Sequence, residues 1–318
     1  MNRNARWSFA QTLVVSLALC PAVQAQDCAP SCHDACDRCE ENCGDCLGTW
    51  IDNTQVWLGG ESYKGLGETT QLPGFQTGFM ASAGPVAGFN TGFGLGDSRV
   101  RGQLGASFGL YDLKGRDTTQ ASSLETQYYI TAGFYQRSDV SAGENVSWAI
   151  VYDQFFGHNW GMAANELAVG QIRSLVGYAV TDWMEFGVWS TIHTNTTGTS
   201  FGPFRAMNQG NFYVKNSYDF GGTTMFYAGA VDPADVASWQ LGFLGVAPLN
   251  DRLSLYGNYV YSFPGSATGV VGSNEYLWAF SAGLAYSFGG KAVARNISGQ
   301  QGLPLLPVAN NGSLLITN

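Results

Sequence analysis

Every second residue from 275 to 288 is apolar or aromatic: Tyr276, Trp278, Phe280, Ala282, Leu284, Tyr286 and Phe288. The residues between them are mostly small or polar, Leu277 excepted. A period of two predicts a strand with one apolar face. The length of the stretch, and the aromatics near both ends of that face, fit a tilted membrane-spanning strand better than an ordinary globular one. On this reading Tyr276 and Phe288 lie near two lipid interfaces.

The same alternation recurs from Thr54 onward, broken by Gly, Asp, Asn and Ser. It predicts strands over 54–63, 83–95, 99–111, 124–137, 146–155, 166–180, 183–193, 211–219, 223–231, 238–248, 252–262 and 275–288. In the third, Val100, Leu104, Ala106, Phe108 and Leu110 share one face, with Arg99, Arg101, Gln103, Ser107 and Tyr111 on the other. Connections near Gly94, Thr181, Gly221 and Asn250 are short. Those at 64–82, 112–123, 157–165, 194–210 and 263–274 are longer, and short and long ends alternate as they do in outer-membrane barrels. The predicted fold is all-β: a transmembrane up-and-down antiparallel β-barrel of about 12 strands (10–14), preceded by a short Cys-rich helical segment.

Composition agrees with this pattern. Charged residues make up 12% of the 318, aromatics 14%, and there are 42 glycines, which suits many strands and turns. A soluble chain of this size would carry about twice the charge, and no apolar run is long enough for a membrane helix. Dispersed apolar positions reconcile a lipid-facing belt with near-zero mean hydropathy. The net charge of −9 gives nucleic acid no basic footing.

The chain divides into 1–25, 26–48, 49–289 and 290–318. The first part has Arg3 and Arg6, an apolar run, then Val23-Gln24-Ala25, and reads as a secretory signal. The second is acidic and carries Cys28, Cys32, Cys36, Cys39, Cys43 and Cys46, spaced so that a helix would align all six along one stripe. In an oxidising compartment these are disulfide candidates, within a folded-back segment or between copies of the chain. Neighbouring thiols on one straight helix are poorly placed to pair, which makes a homo-oligomer through this segment an open option. The competing reading is metal or cluster ligation through the two Cys-x-x-Cys pairs, and exported thiols disfavour it. No cofactor is expected.

The tail, 290–318, lacks sustained periodicity, and Pro304 and Pro307 argue against a helix. It is expected to pack in the barrel mouth, to bind a periplasmic partner, or to hang loose. Taken together, the signal, the Cys-rich acidic segment, the strand ending in Tyr286-Ser287-Phe288 and the tail Pro304-Leu305-Leu306-Pro307-Val308-Ala309-Asn310-Asn311-Gly312-Ser313 form a distinctive layout. It resembles an uncharacterised family of predicted outer-membrane β-barrels from planctomycete-type bacteria. The resemblance implies fold and cell outer-membrane location, with outer-membrane lipid as the principal partner, and supplies no activity.

Chemical motifs are sparse. The histidines are His33, His158 and His193; Ser190 with His193, or Asp153 with His158, would be the elements of a hydrolase, but their spacing fits no motif. No catalytic or metal residue is assigned, and the chain is not expected to be an enzyme. The inward faces are predicted to hold Arg101, Arg137, Arg173, Lys215 and Arg252 with Glu125, Asp153, Glu185, Asp219 and Glu275. Of these, Arg101, Arg137, Asp153, Arg173, Glu185, Lys215 and Glu275 are the lumen-lining candidates. Such charges either pair to fill a narrow lumen or line an aqueous pore. The leading expectation is a narrow porin-like channel or a structural envelope protein cross-linked through its cysteines. The alternatives are an outer-membrane hydrolase of lipase or protease type with a rim site, and a secreted soluble β-sandwich adhesin.

Overall fold

The computed structural model describes residues 50–65, 81–95, 98–113, 124–160, 165–199, 202–234, 236–265, 276–297 and 302–317. The predicted signal, the six cysteines and Glu275 lie outside the described residues. Twelve strands of the described residues close into an antiparallel barrel: β1 (Thr54–Lys64), β2 (Ser82–Gly94), β3 (Arg101–Tyr111), β4 (Glu125–Gln136), β5 (Val146–Trp160), β6 (Asn165–Thr181), β7 (Met184–His193), β10 (Asn208–Ser217), β11 (Thr223–Asp232), β12 (Ala237–Pro248), β13 (Leu253–Pro264) and β14 (Leu277–Ser287). Each pairs with its neighbour in sequence. The ring closes where β1 meets β14, Leu58 opposite Leu284 and Glu61 opposite Ser281.

Closure leaves no free edge, so backbone hydrogen bonds are satisfied between strands all round the ring. Alternation then sorts side chains by parity. On β14, Phe280 and Leu284 point outward while Leu277, Ala279, Ser281, Ala285 and Ser287 are buried. Around the belt Leu58, Phe134, Ile150, Val176, Val188 and Phe212 are all exposed, Phe212 to 76%. Aromatics concentrate at the two rims. Trp239 stacks on Phe263 and Tyr261 on Tyr276 at one end, and Tyr286 meets Phe288 and Tyr218 stacks on Phe220 at the other.

Several expectations need correction. β5 and β6 continue their ladder to Trp160 opposite Asn165, so His158 sits on a strand rather than in a loop. The loop predicted at 194–210 contains a hairpin of β8 (Thr196–Thr199) and β9 (Gly202–Ala206), which β15 (Ile316–Thr317) extends into a three-stranded sheet. Its residues alternate too weakly to show as strands, Gly198 and Gly202 included. β10 ends at Ser217 and β13 begins at Leu253, so Asp219 and Arg252 are exposed turn residues, not lumen groups. Turn chemistry ends those strands: Asn250 Oδ1 accepts from the amides of Arg252 and Leu253.

Candidate functional site

The lumen is the only part of the described fold where polar and charged side chains are gathered away from the surface, and the chain's own tail runs through it. After β14, the tail passes along the rim where the strands begin and end. Ala292 N–H donates to Asp251 O, Ala294 to Gly221 O and Ile297 to Asp182 O, touching three successive short turns. Residues 302–317 then traverse the barrel. Tyr135 Oη donates to Gly302 O at 2.6 Å and Arg137 Nε to Leu303 O at 2.7 Å. Deeper in, Asn90 Nδ2 and Gln103 Nε2 both donate to Leu306 O, at 2.9 and 2.7 Å. At the far mouth Met207 N–H takes Leu315 O, and Ile316 pairs with Ala206.

Outside the turn at Asn310–Leu314 and the pairing of β15, the tail has no regular structure to satisfy its peptide groups, and burying them unpaired would cost about 1–3 kcal/mol each. The inward side chains supply those partners. Asp153 is the centre of the arrangement. It is fully buried and holds Thr131 Oγ1 (2.7 Å), Gln171 Nε2 (3.0 Å) and Arg173 Nη2 (3.0 Å). Each of the three also grips the tail. Thr131 accepts from Ala309 N–H, Gln171 donates to Ser313 O, and Arg173 donates to Pro307 O at 2.8 Å. Gln209 adds a second donor to Ser313 O and is itself held by Gln240.

Close approach also requires missing side chains on the wall. A Cβ on Gly92 would lie 2.2 Å from Gly302 O, and one on Gly105 would lie 2.4 Å from Val308 Cγ2. The tail's last part is greasy. Leu314, Leu315 and Ile316 join Phe155, Trp160, Leu167, Phe204 and Met207 in one buried cluster that caps that mouth.

The lumen candidates fall into two groups. Arg137, Asp153 and Arg173 belong to the machinery that holds the tail, directly or through a neighbour. Glu185 accepts from Ser147 and Tyr213 and stands opposite Lys215 in the β7–β10 register. Arg101 is half-buried at the end of β3, opposite Tyr135. Charge alone was too narrow a signal. Asn90, Gln103, Gln171, Gln209 and Gln240 occupy inward positions on five strands, and neutral amides donate to carbonyls without the desolvation penalty of an ion. Inward parity of Gln and Asn was the clue available in the sequence.

The hydrolase pairs do not assemble. Asp153 faces the lumen, whereas His158 lies on the outward parity of the same strand, beside Glu166. Ser190 bonds Ser174 on the outward side, while His193 meets Asn208 and Arg205. Among the described residues no cluster of His, Cys, Asp and Glu is suited to a metal ion.

The model of a family of unknown function, DUF6666, matches residues 53–316. No curated protein sequence matches. Among solved structures, the chain is similar to the calcium-bound Salmonella typhi outer membrane phospholipase dimer at 8% identity, covering 73% of this chain and 90% of that one, with a TM-score of 0.43. It is similar to the NanC porin at 9% identity, with coverages of 73% and 98% and a TM-score of 0.40. The P. putida toluene transporter TodX gives 9% identity, coverages of 73% and 77% and a TM-score of 0.37. These likenesses concern the fold alone.

Proposed function

The chain belongs to the DUF6666 family, and we propose from its own geometry that it is a bacterial outer-membrane barrel of porin type whose lumen is closed by its own tail. The observation that carries this reading is the passage of residues 302–317 through the barrel, bonded on the way by Tyr135, Arg137, Arg173 and Gln171. The apolar belt with aromatic girdles at both rims supports a bilayer address, because a water-soluble barrel would gain nothing from exposing Phe212 and Ile150. The rim bearing the strand termini and short turns would face the periplasm. The Cys-rich segment, with its disulfide candidates, would cross-link copies of the chain or tether the barrel. The envelope of planctomycete-type bacteria, suggested by the layout and tail, goes with the same reading.

Planar-bilayer recording tests the proposal. Full-length protein should be silent or nearly so, and a chain ending at Phe288 should give discrete conductance steps. Equal conductance from both would reject the plug. Silence from a folded truncated barrel would reject the channel and leave a structural envelope protein. Non-reducing electrophoresis of periplasm-exposed protein reads the cross-linking, with a ladder lost on Cys→Ser replacement as the expected result.

A further inference from the structure

Beside the tail, on the β1–β14–β13 side of the lumen, lies a cavity of about 170 Å³. Four of the polar atoms lining it are buried and lack any hydrogen-bond partner: Glu61 Oε1, Ser254 Oγ, Tyr256 Oη and Asn258 Oδ1. They are not scattered. The barrel register places them on three successive inward rows: Glu61–Ser281–Asn258, Gly59–Gly283–Tyr256 and Trp57–Ala285–Ser254. The two glycines in the middle row leave room for the tyrosine ring, since a Cβ on Gly59 would lie 2.5 Å from Tyr256 Oη. Tail residues Pro307, Val308, Ala309 and Asn310 make the opposite wall.

Other buried polar atoms of the described residues are also unpaired, Gln103 Oε1 and Trp189 Nε1 among them, but they lie apart from one another, whereas these four converge on one space and point to an occupant. Its chemistry follows from the lining. Glu61 is 5% exposed; its carboxylate accepts from Tyr111 Oη and has the Asn311 side chain and backbone amide as further donors nearby, while Oε1 itself stays unpaired. It makes no ion pair among the described residues. Asn258 Oδ1 can only accept, and the two hydroxyls can accept as well as donate. The walls carry the rings of Trp57, Tyr111 and Tyr129, whose faces favour cations. Cavities of about 150 Å³ admit a six-carbon ring, which sets the size.

We propose that this cavity binds a small organic ammonium ion, its N–H groups on Glu61 Oε1 and Asn258 Oδ1, its carbon portion against Trp57 and the tail. The site goes beyond the channel reading, since it needs only the folded barrel with its tail seated.

Isothermal titration of the full-length protein in detergent tests it, with ethanolamine as the probe and ethylene glycol as its neutral counterpart. Saturable binding of ethanolamine, absence of binding by the glycol, and weakening by about tenfold or more in Glu61→Gln are expected. Equal binding of both probes, no binding of either, or Glu61→Gln binding as wild type does would overturn the proposal; the first two would leave the cavity to water. Heat-modifiable migration on gels checks folding of the variant. Should Glu61→Gln fail to fold, Asn258→Leu takes its place, and unchanged affinity there counts against the site in the same way.

Discussion

Arg173 Nη2 donates to Asp153 Oδ1 at 3.0 Å and to Pro307 O at 2.8 Å, so a single guanidinium nitrogen joins the barrel wall to the segment that fills it. The ion pair is almost wholly buried, its two side chains 3% and 0% exposed. A buried pair contributes little net stability relative to an apolar replacement, but removal of one partner strands the other. Here the stranded charge would also lie at the point where three tail-holding side chains meet.

Arg173→Met should therefore destabilise the folded barrel by about 3–5 kcal/mol, and Asp153→Asn in the same background should recover part of the loss. Urea unfolding in lipid vesicles measures both. A double variant as unstable as the sum of the singles would mean that the two residues are not coupled.

Gly105→Phe should expel the tail, because a Cβ there would lie 2.4 Å from Val308 Cγ2; Asn90 Oδ1 and Phe89 O of the wall lie within 3 Å as well, so β2 must yield slightly while the ring stays closed. The expected outcome is normal heat-modifiable migration with new protease cleavage between 290 and 317. Conductance should match that of the chain ending at Phe288. A protected tail in a folded Gly105→Phe barrel would show that the lumen accommodates both.

Phe212→Lys places a charge at the middle of β10 on the outward face, where the phenyl ring is 76% exposed. In a bilayer this should cost about 2–4 kcal/mol in folding free energy, and in a water-soluble particle almost nothing. Folding into vesicles of the wild type and the variant separates the two environments directly.

The Asp139 carboxyl is held below its ordinary value of 3.8, chiefly by the Ser141 hydroxyl, with the Ala142 amide and Arg99 assisting. A depressed carboxylate contributes stability that is present above the unfolded value and is lost as pH falls through the folded one. The one-turn helix Val140–Ala142 that it caps should stay formed from neutral pH to about 4 and loosen only below that. The Ala142 amide resonance in a pH titration reads it; movement already near pH 6 would contradict the assignment.

How much of this was legible beforehand differs from one part of the chain to another. Strand periodicity is a local property. Phe280 and Leu284 outward with Ala279 and Ser281 inward follow from parity alone, so the twelve strands and their outward apolar belt could be read from order and spacing. Parity also fixed the inward position of Asp153 and Arg173. It could not say what they face. Residues 302–317 have no period, and their partners lie up to 216 positions away. Their path depends on gaps at Gly92 and Gly105 and on donors from strands distant in sequence. Strand ends behave in the same way: Asp219 and Arg252 left the lumen because turns at Ser217 and Asn250 stop the ladder before parity applies. The sequence by itself determined the alternation, and with it the barrel and its two faces. Only the tertiary structure decided that the inner face is met by the chain's own tail, because an extended segment acquires hydrogen-bond partners only where distant strands have already been brought around it.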